Sequence, residues 1–200
     1  MRRRARRRAH GADIVGLRAD GLRELSGRFF RVIEAGDDDA LGVKAHRTPG
    51  RFHRAGERAL YFSPSPDSAA IAIGHRILAG DKAARSLISL DLKDAILLDL
   101  LDEQACARFG ITYADAAAPW MRVFEAGKTP LSWTIADKLR AAGVHGLIDP
   151  SRRAPGYGLW RITLFRWNEP GAPRVSVVGG KKAIKVPPDY RGGANLTAPR

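Results

Sequence analysis

Three arginines, a tyrosine and the start of a helix lie close together in the segment GRFHRAGERALYFSPSP, residues 50–66. The arginines are Arg51, Arg54 and Arg58, and Tyr61 follows them in a short apolar run. Guanidinium groups bind phosphate oxygens through paired hydrogen bonds, and an aromatic ring can stack on a planar part of a ligand. The segment therefore predicts either a solvated loop or a pocket for an anionic ligand that carries an aromatic group.

A second cluster follows the clearest helix pattern of the chain, SWTIADKLRAAG, in which Ile135 and Leu139 share a side and Gly143 ends the helix. The next segment, VHGLID, is typical of a buried strand and runs directly into Ser151 and two arginines. Loops at strand ends commonly carry ligand-binding residues. Ser151 is therefore either a binding residue or part of a polar turn in which its side chain caps the local backbone.

The surrounding patterns predict the elements that position these residues. RFFRVIEA, residues 28–35, indicates a strand, and Ser65 with Pro66 indicates the start of a helix. SLISLDL and AILLDL predict two strands joined by a turn at Lys93 and Asp94, and Asp102 can cap a short helix. With two later strands, LWRITLF and RVSVV, the pattern predicts an α+β fold with a mixed, largely antiparallel sheet and short helices.

The positive charge is concentrated at the two ends of the chain. The formal net charge of the 200 residues is +13, and residues 1–8 alone hold six arginines. A cluster of lysines begins the C-terminal tail at Lys181. We predict a basic, disordered arm over 1–20, one domain over 21–179 and a basic, extended tail over 180–200. Such ends can hold nucleic acid through phosphate contacts.

Several function classes are disfavoured by what the sequence lacks. Its single cysteine, Cys106, excludes an internal disulfide and a cysteine-based zinc site, and it fits a reducing cytoplasm. The five histidines show no metal-ligand spacing, and no G-x-S-x-G motif occurs. No apolar run approaches the ~18 residues of a membrane span. We therefore predict a cytoplasmic protein with no metal cofactor and no membrane association.

Three motifs, in this order, resemble those of the RES domain family, the toxins of bacterial toxin–antitoxin pairs. The first is the strand FFRV with Arg31, and the second is GRF at residues 50–52 followed by an apolar residue and Tyr61. The third is AAGVHGLIDPSRR, in which a helix end and a strand lead to Pro-Ser-x-Arg at Ser151. The resemblance covers residues 28–178.

The resemblance implies a fold similar to that of ADP-ribosyltransferases and the consumption of NAD⁺, whose nicotinamide–ribose bond is split. Water, phosphate or a protein would accept the ADP-ribose. Arg51 would hold the pyrophosphate, Tyr61 would contact the nicotinamide ribose, and Ser151 would contact the nicotinamide side. Arg31 would be either a second phosphate ligand or part of a surface ion pair.

The resemblance also implies a partner, an Xre-type helix-turn-helix antitoxin whose C-terminal part covers the site. The toxin would then meet nucleic acid only indirectly, through the antitoxin. A homodimer is compatible with the sequence as well.

The chain departs from the family at one position, because Ala72 stands where the family has its glutamate. Losing a group with a general acid–base role typically costs about 10²–10⁴ in rate, so we predict NAD⁺ binding with reduced or altered catalysis. One alternative is a catalytically impaired RES-like protein that acts by binding an antitoxin or NAD⁺. Another is a nucleic-acid-binding module that uses the basic ends, although the chain lacks interleaved aromatic residues for base stacking.

Overall fold

The computed structural model describes residues 12–151 and 158–184. The basic stretches 1–11 and 185–200 and the arginine pair after Ser151 lie outside the described residues. In chain order the elements are β1 (Ala12–Leu17), β2 (Arg23–Glu34), β3 (Leu60–Phe62), α1 (Pro66–Leu78), β4 (Arg85–Asp99), α2 (Glu103–Arg108), α3 (Tyr113–Ala117), α4 (Trp120–Glu125), α5 (Leu131–Ala141), β5 (Gly146–Pro150), β6 (Trp160–Leu164) and β7 (Arg174–Ile184).

The described strands form one seven-stranded sheet in the order β1-β2-β4-β5-β6-β3, with β7 paired to β4 beside β5. Only the β4–β5 pair is parallel. The sheet curls until the end of β3 meets β2, where Phe30 and Ser63 exchange two backbone hydrogen bonds of 2.8 Å. The path β2-β4-β5-β6-β3 therefore closes on itself and has an interior and an outer face.

The sheet also takes in residues that the sequence analysis assigns to the N-terminal arm. β1 begins at Ala12 and pairs antiparallel with the first part of β2. No strand was predicted over these residues. The β7 strand likewise continues to Ile184, past the start of the predicted tail.

The predicted turn at Lys93 and Asp94 is wrong, because β4 runs through both residues without a break. Asp94 has a left-handed backbone conformation with φ 60°, and its N–H donates to the Ser26 hydroxyl oxygen at 3.0 Å. This β-bulge shifts the alternation of side chains along β4 by one residue. Leu92 before the bulge and Ala95 after it consequently face the same interior core.

The interior face is lined by apolar side chains from every strand of the closed path. Its members include Leu25, Phe29, Ile33, Leu60, Phe62, Ile88, Leu90, Leu97, Ile148, Ile162, Leu164 and Trp167. Helices cover parts of the outer face: α1 packs on β2 and β4 through Ala69 and Leu87. A second outer cluster joins α2, α3 and α5 to Leu147 of β5.

The predicted helix boundaries follow from local capping and are confirmed. The Ser65 hydroxyl oxygen accepts from the Ser68 N–H at the start of α1 (3.2 Å), and the Asp102 carboxylate accepts from the Ala105 N–H at the start of α2 (3.1 Å). Gly143 follows α5 with a left-handed φ of 72°. The predicted α+β class, with a largely antiparallel sheet and short helices, is confirmed. Among the described helices, none has the length and apolar character that crossing a membrane requires.

Candidate functional site

Tyr61 projects from β3 toward the outer face of the sheet. Its neighbours Leu60 and Phe62 point into the interior core, and side chains alternate along a strand. The Tyr61 ring packs against the outer cluster that contains Phe52 and Leu147. Burial raises the pKa of the Tyr61 hydroxyl well above its ordinary value of 10.0. The phenol is therefore a neutral hydrogen-bonding group at physiological pH.

The Tyr61 hydroxyl is fixed between a backbone amide and a histidine. It accepts from the Phe52 N–H at 3.3 Å and lies 2.7 Å from His53 Nδ1. His53 Nε2 is 3.2 Å from the Thr48 carbonyl oxygen, which can only accept, so Nε2 carries the proton. In the neutral ring Nδ1 is then an acceptor, and Tyr61 donates to it.

The neutral state of His53 is supported by its surroundings. The ring is buried and lies 4.2 Å from the ring of His46, measured between centroids. Burial, followed by the proximity of His46, lowers the pKa of His53 from 6.5 to about 4. The hydrogen bond from Tyr61 to His53 is therefore maintained at neutral pH.

The turn that carries Arg51 is built around the same histidine. Gly50 and His53 form an isolated bridge, and a Cβ added at Gly50 would overlap the His53 ring, so this position requires glycine. The Trp133 indole N–H of α5 donates to the Gly50 carbonyl oxygen at 2.8 Å. Arg51 is thus held one residue from the backbone amide that the Tyr61 hydroxyl accepts from.

The Arg51 guanidinium reaches the end of α3. Its Nη1 donates to the Ala116 carbonyl oxygen at 3.1 Å and to the Ala118 carbonyl oxygen at 2.8 Å. These two contacts hold the Arg51 side chain at the C-terminal end of α3, where the helix dipole favours a cation. Arg51 is half-buried, and Ala116, which it contacts, belongs to the outer cluster that Tyr61 packs against.

The other two arginines of the segment 50–66, Arg54 and Arg58, make contacts that stabilise the fold. Arg54 makes a paired contact with Asp137 of α5 (2.8 and 2.7 Å), and this hydrogen bonding raises the pKa of Arg54 further and lowers that of Asp137. The Arg58 guanidinium lies 4.3 Å from the centroid of the Trp167 ring. Both side chains fasten the loop 50–59 to its neighbours.

Ser151 leaves the sheet at the edge where α1 begins. β3 and β5 are both antiparallel to β6, so their C-terminal ends lie at the same edge. The Ser151 N–H donates to the Leu159 carbonyl oxygen at 2.7 Å, which extends the β5–β6 pairing by one residue. By alternation the Ser151 side chain faces outward, on the same side as Tyr61.

Two charged residues on this outer face were not identified from the sequence. Asp149 of β5 is fully buried, and Arg161 of β6 lies opposite it, with Nε 3.2 Å from the Asp149 carboxylate. A carboxylate inside the apolar run VHGLID was the available signal, because a buried charge needs a partner. The partner could not be found from spacing alone, since it comes from another strand.

Arg31 lies on the opposite face of the sheet from Tyr61. Its neighbours Phe29 and Ile33 on β2 both face the interior core. The Arg31 Nη1 donates to the Ala40 carbonyl oxygen at 3.3 Å, and burial lowers the pKa of its guanidinium. The structure thus brings Arg51, Tyr61 and Ser151 to one face and does not bring Arg31 to them.

Ala72 occupies the partly buried middle of α1, one turn beyond Ala69. Ala69 is buried against Leu87 and Ile184. No acidic residue occurs in α1 after Asp67, which lies in its first turn. Over the described residues, no group of three His, Cys, Asp or Glu side chains is arranged to hold a metal ion.

Comparison with known proteins gives the class of this chain. The family model for the RES domain matches residues 28–189, so the chain belongs to the RES domain family. A solved structure with a similar fold is that of the M. tuberculosis MbcT–MbcA toxin–antitoxin complex. The TM-score is 0.60 at 18% sequence identity, and the match covers 83% of this chain and 88% of the other. No protein with a curated description matches significantly.

Proposed function

We propose that this protein is the toxin of a toxin–antitoxin pair and that it binds NAD⁺ and cleaves the nicotinamide–ribose bond. Family membership supports the toxin assignment, and the resemblance to NAD⁺-consuming family members supports the reaction. The observation that carries the proposal is the outer-face arrangement of three family-motif residues. The Phe52 amide on the Tyr61 hydroxyl holds the Arg51 turn against β3, and Ser151 faces the same side from β5.

Cleavage of the nicotinamide–ribose bond requires groups that bind phosphate and orient the nicotinamide ring. The bond between ribose C1′ and the nicotinamide nitrogen breaks, and its electron pair stays with nicotinamide, which becomes neutral. An oxygen of water, phosphate or a protein side chain attacks C1′ and loses its proton. The ribose passes through an oxocarbenium-like state, so binding must fix the diphosphate and orient the leaving ring. We assign Arg51 to the diphosphate, Tyr61 to the nicotinamide ribose and Ser151 to the nicotinamide.

Ala72 favours a second candidate, a RES-like protein with weak catalysis that acts by binding. A carboxylate near the ribose would stabilise the developing positive charge, and the family position for it carries a methyl group. In this version NAD⁺ still binds, but turnover is slow. An antitoxin would then be the main partner.

An antitoxin partner is supported by the MbcT–MbcA complex, in which the structurally similar chain is paired with one. We propose an Xre-type antitoxin that covers the outer-face site. Nucleic acid would be met only through this partner. We also retain the prediction of a cytoplasmic protein.

Calorimetry with NAD⁺ and measurement of nicotinamide release test both versions. We expect the purified protein to bind NAD⁺ and Arg51→Ala to weaken binding at least about tenfold, because a charge-assisted contact is lost. Arg122→Ala, at an exposed arginine of α4, is the matched control and should bind as the wild type does. Ala72→Glu should raise nicotinamide release by about 10²–10⁴. Absence of NAD⁺ binding, or release that Ala72→Glu does not raise, would contradict the proposal.

A further inference from the structure

Arg161 stands at the centre of the candidate site on the outer face. Thr163 of β6 lies opposite Tyr61 of β3, and Arg161 is two residues further along β6. On the other side of β6, Asp149 lies opposite Arg161, and Ser151 is two residues further along the chain. Diagonal neighbours in a sheet are about 7–8 Å apart. Arg161 is therefore one diagonal step from Tyr61 and one from Ser151.

The guanidinium of Arg161 is oriented by Asp149 and keeps its outer nitrogens available. Nε is 3.2 Å from the Asp149 carboxylate, and the Arg161 side chain is 25% exposed while that of Asp149 is 0% exposed. Within residues 12–151 and 158–184, the two Nη groups of Arg161 have no hydrogen-bond acceptor. A planar fork of N–H donors that is fixed at Nε can bind a phosphate through two parallel hydrogen bonds.

A second polar group on the same face is the Thr163 hydroxyl. Thr163 is fully buried, and its Oγ1 has no hydrogen-bond partner among the residues that the structure describes. Its cross-strand neighbours are Tyr61 on β3 and Leu147 on β5, and Arg161 is two residues away on the same face of β6. Because the Thr163 side chain is fully buried, its hydroxyl does not reach a ligand, and Arg161 is the partly exposed polar group of this row.

We propose that Arg161 is a ligand for the diphosphate of the bound dinucleotide and that Asp149 is its positioning residue. This assignment rests on the proposed function and gives Arg161 the phosphate-binding role that was one of the two alternatives for Arg31. Arg31 faces the interior of the closed sheet and donates to the Ala40 carbonyl. Arg161, in contrast, lies on the outer face of the sheet that also carries Tyr61 and Ser151.

The test is calorimetric binding of three ligands, NAD⁺, ADP-ribose and nicotinamide riboside, to wild type and Arg161→Met. The first two carry a diphosphate and the third carries no phosphate. We expect Arg161→Met to weaken NAD⁺ and ADP-ribose by about 10–100-fold and to leave nicotinamide riboside unchanged. Arg166→Met is the matched control, because Arg166 also contacts a carboxylate through Nε, at 3.1 Å from Glu169. It should bind all three ligands as the wild type does.

Two further variants guard against misfolding and test the positioning role. Arg161→Met combined with Asp149→Asn removes both charges of the buried pair and should show the same loss of diphosphate binding. Asp149→Asn alone leaves the guanidinium unfixed, and we expect an intermediate loss confined to the diphosphate ligands. Thermal unfolding should show that each variant used is folded.

The results separate this inference from the proposed function. Unchanged ADP-ribose affinity in Arg161→Met, or an equal loss for nicotinamide riboside, would overturn the Arg161 assignment. If the wild type bound ADP-ribose through Arg161 but did not bind NAD⁺, the proposed NAD⁺ reaction would fail while the assignment of Arg161 to a diphosphate would stand.

Discussion

The stability of this protein should depend on pH through His53. The ring is buried and neutral in the folded state, with a pKa of about 4 against an ordinary value of 6.5. Between these two pH values the unfolded chain binds a proton that the folded chain does not. The free energy of unfolding therefore falls as the pH is lowered through this range.

The size of the effect follows from the two pKa values. One pKa unit corresponds to about 1.4 kcal/mol, so complete protonation of His53 would cost about 3 kcal/mol. At pH 5 most of the unfolded chains carry the proton and few folded molecules do. The free energy of unfolding at pH 5 is therefore about 2 kcal/mol lower than at pH 8. Protonation would also remove the Nδ1 acceptor that holds the Tyr61 hydroxyl.

Urea unfolding at pH 8 and pH 5 measures this loss. Wild type and His53→Gln should both lose stability on acidification, but the variant should lose about 2 kcal/mol less. His145→Gln is the control: His145 is also buried, its Nδ1 accepts from the Ile96 N–H at 3.0 Å, and burial lowers its pKa. His145→Gln should retain the whole contribution of His53. An identical pH dependence in wild type and His53→Gln would refute the reasoning.

Three other substitutions test the framework of the site, each by urea unfolding and by calorimetry with NAD⁺. Gly50→Ala should lower the free energy of unfolding by about 1–3 kcal/mol, because the added Cβ must displace the His53 ring. A stability equal to that of the wild type would contradict the requirement for glycine. Asp102→Ala removes the α2 cap and a 3.1 Å contact with Arg23. It should lower the free energy of unfolding by about 1–2 kcal/mol and leave NAD⁺ affinity unchanged, and a changed affinity would contradict this purely structural role. Tyr61→Phe removes the hydroxyl that the Phe52 N–H and His53 contact, so it should lower the free energy of unfolding by about 1–3 kcal/mol. It keeps the ring, so it should weaken NAD⁺ binding less than Tyr61→Ala does, and equal losses would contradict a role for the ring.

Elements whose signals are local were predictable from the sequence. Ser65 and Asp102 cap the helices that they were expected to cap, and Gly143 follows the helix that it was expected to end. The α+β class follows from the order of such elements. Capping and left-handed glycine depend on a few adjacent residues, which is why these predictions needed no tertiary information.

Features that depend on pairing between distant strands were not predictable. Lys93 and Asp94 have turn-forming character, yet pairing with β2 turns them into a bulge within one long strand. The face on which Arg31 lies became clear only once the sheet was known to close at Phe30 and Ser63. Arg161 carries no motif, and its importance comes from its place opposite Asp149 on a neighbouring strand.

The central claim is that Arg51, Tyr61 and Ser151 surround one dinucleotide, and the level of NAD⁺ in cells after induction of the protein tests it most directly. Wild type, Arg51→Ala, Ala72→Glu and the double variant Arg51→Ala with Ala72→Glu would be induced side by side without an antitoxin. The account predicts that Ala72→Glu depletes NAD⁺ faster than the wild type does and that adding Arg51→Ala to it abolishes the depletion. NAD⁺ that stays constant with both wild type and Ala72→Glu, or depletion that persists with Arg51→Ala, would contradict it.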